Sequence, residues 1–359
     1  MLRTVHMVSL VMMVMVMLAA CGGAPAAPAA PAAEAPAAPA APAAEAPAAP
    51  AAEAPAASTG ECARPPEMDA RFCDEDGDLV ADPPKDPAEF VNPDTIIFSY
   101  TPVEDPAVYR EAWSDFLTHL ENVTGKKVEF FAVDSNAAQL EAMRAGRLHV
   151  AGFNTGSNPF AVNFAGFVPF AMMAKEDGSF GYEMEIIVPA NSDIQEIADL
   201  DGREVAFTEP TSNSGFKAPS ALLDSQFGLR EGENFTAVFS GGHDNSILGV
   251  ANEDYQAAAI ANSVMTRMIE RGVIEADQIR TIYKSDTFPT TGYGHVYNLD
   301  PELAEKVREA FFSFDWAGTS LEAEFSKSGE AQFIPITYQE YWAVIREIDK
   351  ALGVTYTQP

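Results

Sequence analysis

From residue 95 onward the chain alternates strand-like and helix-like runs, and twice a short polar turn carries it from a strand into a helix. Few folds accommodate that alternation. Ile96, Ile97, Phe98 and Ser99 read as a buried strand that Thr101 and Pro102 interrupt. Tyr109, Trp113, Phe116, Leu117 and Leu120 then recur at helical spacing up to Gly125. Residues 128–132 form the next strand. Residues 136–145 form a helix with Leu140 and Met143 inward, ended by Gly146. A third strand, 148–153, enters the first polar turn: Asn154, Thr155, Gly156, Ser157, Asn158, Pro159. Strands follow at 182–189, 204–207, 236–239, 257–260 and 279–283, with an irregular passage at 288–292 and helices over 302–314 and 338–352. The pattern predicts an α/β fold whose sheet is mainly parallel, with helices on both faces. Ligands of such sheets sit beyond the carboxyl ends of strands, so two blocks with one polar turn each predict a cleft between lobes.

The second turn, residues 209–215, reads Glu, Pro, Thr, Ser, Asn, Ser, Gly; residues 241–244 read Gly, Gly, His, Asp. A helix start carries unpaired N–H groups and about half a positive charge, which suits an anion. Ser212, Asn213 and Ser214 add side-chain donors, and His243 adds another, charged if protonated. Ser212 or Asn213 as a plain helix cap is the alternative. Trp113, Trp316, Trp342, Met172 and Met173 read as core, and His149 and His295 as structural.

The net charge of -31 excludes phosphate-backbone binding, so no nucleic-acid partner is expected. Residues 1–21 have the form of a secretion signal: Arg3, an apolar run, then Leu18, Ala19, Ala20 and Cys21. The ending resembles a bacterial lipobox, which implies lipid attachment at Cys21; an ordinary cleaved signal is the alternative. Residues 22–60 form an Ala/Pro-rich tether that can bury no core. Residues 61–93 form a small acidic segment in which Cys62 and Cys73 are expected to pair in an oxidising compartment. Asp74, Asp76, Asp78 and Asp82 have the spacing of a calcium loop. The glycine is misplaced for an EF-hand and Lys85 stands where a Glu belongs, so a solvated acidic turn is the alternative to a structural calcium. No other cofactor is expected.

Three separated motifs carry a family resemblance. They are Asn213-Ser214-Gly215-Phe216; Gly242-His243-Asp244 with residues 248–252; and Tyr283-Lys284-Ser285. Residues 141–144 and Gly181-Tyr182 fit as well. Over about residues 94–320 the chain resembles the phosphonate-, phosphite- and phosphate-type substrate-binding lipoproteins of ABC importers. The resemblance implies a type II periplasmic-binding-protein fold: two α/β lobes, a cleft, a hinge of two crossovers, and no catalysis. Lobe 1 would comprise residues 94–188 and 290–359, lobe 2 residues 189–289, with crossovers near 187–190 and 285–292. The implied oxyanion contacts fall on Ser212, Asn213, Ser214 and His243, and the first-lobe contact on Phe153, where the family often has Tyr. Tyr100, Thr101, Asn154, Thr155 and Ser157 are contacts by position. The places where family members that take aminophosphonates hold the amine by carboxylates are read as Ser263 and Thr291, which favours a ligand without an amine. The implied partners are a small phosphorus oxyanion and a membrane permease. The implied protein is an exported monomer, lipid-anchored to the outer face of the membrane or periplasmic. Rival readings are a surface receptor feeding a sensor and, with Ser214 and His243 as an incomplete nucleophile and base, a phosphoester-acting enzyme.

Overall fold

The computed structural model describes residues 62–357; the signal, Cys21 and the tether lie outside the described residues. The strands are β1 (Thr95–Tyr100), β2 (Lys127–Phe130), β3 (Val150–Phe153), β4 (Phe167–Ala174), β5 (Tyr182–Pro189), β6 (Glu204–Phe207), β7 (Thr236–Phe239), β8 (Ala257–Ala261), β9 (Ile279–Phe288), β10 (Gly292–Val296) and β11 (Gln332–Pro335). The helices are α1 (Pro106–Ala112), α2 (Ser114–Thr124), α3 (Asn136–Arg144), α4 (Asn158–Ala165), α5 (Ala218–Phe227), α6 (His243–Ala251), α7 (Asn262–Glu270), α8 (Pro301–Ser313), α9 (Ser320–Phe325), α10 (Tyr338–Tyr341) and α11 (Ala343–Ala351). Local chemistry sets many of their ends. Asp105, Ser135 and Asp300 cap α1, α3 and α8 through their side chains, and Gly125, Gly166 and Gly228 end α2, α4 and α5 in the left-handed region.

Two sheets form, ordered β11-β4-β10-β3-β1-β2 and β7-β6-β8-β5-β9. Each is mixed rather than mainly parallel. In the first, β1 pairs in parallel with β2 and β3, but β10 runs antiparallel to both β3 and β4, and β11 antiparallel to β4. In the second, β6 pairs in parallel with β7 and β8, while β5 runs antiparallel to β8 and β9. The parallel trios come from the βα repeats, and β4, β5, β9 and β10 flank the two passages between sheets. The chain leaves the first sheet after β4 and enters the second at β5, so this passage lies at 175–181 rather than at 187–190, and residues 182–188 belong with the second lobe. It returns between β9 and β10, at 289–291.

An aromatic core of Phe98, Trp113, Phe116, Tyr293, Phe311 and Phe333 fills the first lobe. Ile186, Ile187, Val205 and the alanines of β8 fill the second. Trp342 is fully buried, separates α10 from α11, and donates its indole N–H to the Thr155 carbonyl at 2.9 Å.

The acidic segment sits against the first lobe. Cys62 and Cys73 are bonded (S–S 2.08 Å), and Met68, Phe72 and Ala81 make a small cluster completed by Tyr297. Carboxylate oxygens of Asp74, Asp76 and Asp78 lie within 4.8 Å of one another. Asp82 does not join them: its Oδ2 accepts from the Glu75 N–H at 2.7 Å. The other three cap their own turn, Asp74 accepting from Gly77 and Leu79, Asp76 from Asp78, and Asp78 from Val80.

Candidate functional site

The two lobes meet through several polar contacts. Asn136 donates its N–H to Glu209 Oε2 (3.3 Å) and its amide to Thr211 Oγ1 (3.0 Å). The N–H of His243 donates to the Val103 carbonyl (3.1 Å), and Lys217 Nζ to the Gly156 carbonyl (2.9 Å). Lys217 also pairs with Asp349 of α11 at 2.5 Å, both fully buried. Gly156 lies so close to the facing turn that a Cβ there would overlap the Thr211 carbonyl and the Asn213 nitrogen. Backbone meets backbone at that point.

Between the lobes lies a cavity of about 60 Å³. The second lobe contributes Ser212, Asn213, Ser214, His243 and Ser263 to its wall. The first contributes Tyr100, Asn154, Thr155, Thr291, Tyr293 and Glu330. The Ser212 hydroxyl accepts from the Gly215 N–H at 3.1 Å, so Ser212 does cap the turn that leads into α5, and its hydrogen remains available to donate. That turn, Asn213–Lys217, is a π-helical coil, a form that recurs at functional sites. The Asn213 amide donates one hydrogen to Tyr182 Oη at 3.2 Å, and its second N–H is left to donate elsewhere. His243 opens α6. Its Nδ1 accepts from the Ala261 N–H at 3.1 Å, which puts the ring proton on Nε2, and burial lowers its pKa to about 4. Of the two forms the sequence left open, the neutral donor is the one present at neutral pH. Burial raises the Tyr100 phenol to about 12, so it too stays a donor.

Three residues expected at the site are elsewhere. Phe153 is fully buried and meets Phe167 edge-on at 4.8 Å. Side chains alternate along a strand, and its neighbour on β3, Gly152, takes the opposite face, where it pairs with Tyr100 and Tyr293 of the adjoining strands, whose rings stack at 6.3 Å. Thr101 Oγ1 accepts from the Asn154 amide at 3.0 Å and lies near Asn136, in a buried network beside the cavity. Ser157 is fully buried in the β3–α4 turn, its N–H bound by Asn154 Oδ1 at 2.9 Å.

Two charged residues of the wall were missed from sequence. Arg267, on α7, is 3 % exposed. It donates to Glu104 at 3.2 Å, beside Arg271, which pairs with both Glu104 and Glu324. Glu104 and Glu324 belong to the first lobe and the arginines to the second, so the ion pairs bridge them. Burial works to raise the Glu104 carboxyl, but the Arg267 and Arg271 charges and the Tyr109 hydroxyl outweigh it and hold it below the usual carboxylate range. The available signal was an arginine three residues after Val264 and next to Met268, on an inward helical face. Glu330 is the second. Ser263 and Thr291 line the cavity uncharged, as expected, but the wall is not free of carboxylate.

Residues 98–341 match the sequence profile of a family described as the periplasmic substrate-binding protein of phosphonate ABC transporters. The chain is 30 % identical over 271 residues to the phosphate-import protein PhnD of Mycolicibacterium smegmatis, covering 72 % of this chain and 82 % of that one. In fold it resembles a binding protein of a phosphonate ABC transporter from Pseudomonas aeruginosa (TM-score 0.65, 22 % identity, 71 % and 85 % of the two chains). It also resembles a Prochlorococcus marinus protein solved with methylphosphonate (TM-score 0.64, 17 % identity, 73 % and 99 %).

Proposed function

Because the chain belongs to the family of periplasmic substrate-binding proteins of phosphonate ABC transporters, we propose that its cavity captures a small phosphorus oxyanion and presents it, between closed lobes, to a membrane permease. The observation that carries this is the convergence of Ser212, Ser214, His243 and the start of the Asn213–Lys217 turn on one enclosed space faced by Tyr100 and Thr291. All of these supply hydrogens to an anion. The cavity, about 60 Å³, is of the small size that suits a compact tetrahedral ion such as phosphate, phosphite or methylphosphonate.

The protein binds without turnover: Ser214 and His243 share the cavity, but the imidazole Nδ1 that an orienting carboxylate would hold is occupied by a backbone N–H. Lipid at Cys21 would keep the binding domain near the permease on a tether, as a monomer. Capture needs no cofactor, and the Asp74, Asp76 and Asp78 carboxylates are not part of the cavity wall.

A thermal-shift panel of phosphate, phosphite, methylphosphonate, aminoethylphosphonate and sulfate tests the reading, since a ligand of the folded state raises its melting point. A shift with at least one phosphorus oxyanion is expected. Ser212→Ala and His243→Ala should each weaken binding roughly tenfold or more, the worth of one charge-assisted hydrogen bond. No shift with any phosphorus compound, or full affinity in both variants, would remove the assignment.

A further inference from the structure

The donors of this cavity explain why an anion enters, but not why one tetrahedral anion would be preferred over another. Glu330 bears on that. It lies on the first-lobe wall, 8 % exposed. Its Oε2 accepts from the Ser328 hydroxyl at 2.6 Å, and Ser328 Oγ in turn accepts from Arg267 Nη1 at 3.1 Å. Among the described residues no donor reaches its Oε1. Tyr100 and Tyr293 share the wall. After burial, the Glu330 charge is among the influences that keep both phenols protonated.

A carboxylate oxygen only accepts, and so does a bare oxyanion oxygen. The two repel at contact distance unless a hydrogen lies between them, in which case the bond is short and strong. The cavity is small, about 60 Å³, which favours a compact ion over one that carries an amine on an alkyl chain. The hydrogen then comes from the ligand, and in so small a space a P–OH supplies it most directly.

Resting on the reading above, we infer that Glu330 is a specificity residue that accepts the P–OH hydrogen of inorganic hydrogen phosphate and excludes tetrahedral dianions that carry no proton. Sulfate is the clean comparison: at mildly alkaline pH it matches hydrogen phosphate in shape and charge and differs by that hydrogen. The Arg267–Ser328 relay holds the carboxylate in place and offsets its charge.

The test is calorimetric titration of the full chain and of Glu330→Gln with phosphate, sulfate and aminoethylphosphonate at mildly alkaline pH, with Ser212→Ala alongside. The wild type is expected to bind phosphate and not sulfate. Glu330→Gln, whose amide can donate, should lose roughly tenfold or more for phosphate and gain measurable sulfate binding. A gain also shows that the variant is folded. Unchanged phosphate affinity in a Glu330→Gln protein with wild-type melting temperature, or continued exclusion of sulfate, would overturn the inference while leaving the oxyanion site standing if Ser212→Ala still weakens phosphate. Tighter binding of aminoethylphosphonate than phosphate, lost in Glu330→Gln, would overturn it in favour of an amine contact. A wild type that binds no phosphorus oxyanion removes the underlying reading and the inference together.

Discussion

Gly156 shows how much one residue can decide here. It stands where the β3–α4 turn of the first lobe meets residues 211–213 of the second, and any side chain would strike backbone rather than a movable group. Gly156→Ala should therefore hold the lobes apart and lower ligand affinity, with overpacking worth about 1–3 kcal/mol, while the melting point of the ligand-free protein changes little. Calorimetric titration checks the first part and a thermal melt the second; wild-type affinity in the variant would contradict it. At this scale Ser212, Asn213, Ser214 and His243 were legible, because turn chemistry and helix starts are local in sequence. Phe153 was not, because the face a strand residue takes depends on register, and β3 turns Phe153 into the core against Phe167. Arg267 and Glu330 could not be placed, since what makes them part of the wall is packing between segments far apart in the chain.

The elements that close the cleft carry their own titration. Glu209 lies in the turn after β6 and reaches the first N–H of α3 across the lobe boundary; burial there raises its carboxyl to about 7, opposed only by that Asn136 hydrogen bond. A carboxyl whose pKa rises on closure favours the closed form fully below its ordinary value, and the advantage is lost as pH climbs through about 7. Ligand affinity should fall from mildly acidic to mildly alkaline pH more steeply in the wild type than in Glu209→Gln. The difference between the two profiles cancels the ligand's own ionisation; parallel profiles would refute the role. His243, with its pKa near 4, does not titrate in that window. The βα repeats that deliver these turns were readable from periodicity. β4, β10 and β11 were not: Pro289 and Gly292 made the passage into β10 look irregular, whereas Gly292 and Gly294 of that strand admit close neighbours, Asn158 and Trp342 at one and the Phe167 ring and the Val168 carbonyl at the other. The break between α1 and α2 at Trp113 was also hidden, since the apolar spacing runs through it.

Taken as a whole, a molecule of net charge -31 presents a cavity suited to an anion. The neutral donors act at short range, where bulk charge is screened within about 10 Å in salt. Arg267 adds a cation whose charge is matched inside the protein by Glu104, and the same residues tie one lobe to the other. These pairs bridge the lobes, and removing one partner would leave the other charge buried and unpaired, at a cost of about 3–5 kcal/mol. Two lobes with a cleft were foreseeable from the duplicated block of strands and polar turns; the bridging ion pairs were not, because Glu104 lies 163 and 167 residues from its two arginines. The most direct measurement is a crystal structure of the protein grown with inorganic phosphate. The account predicts tetrahedral density between the lobes, with oxygens about 2.7–3.2 Å from the Ser212 and Ser214 hydroxyls and His243 Nε2. Saturating phosphate with an empty cleft, or density bound only at the surface, would contradict it.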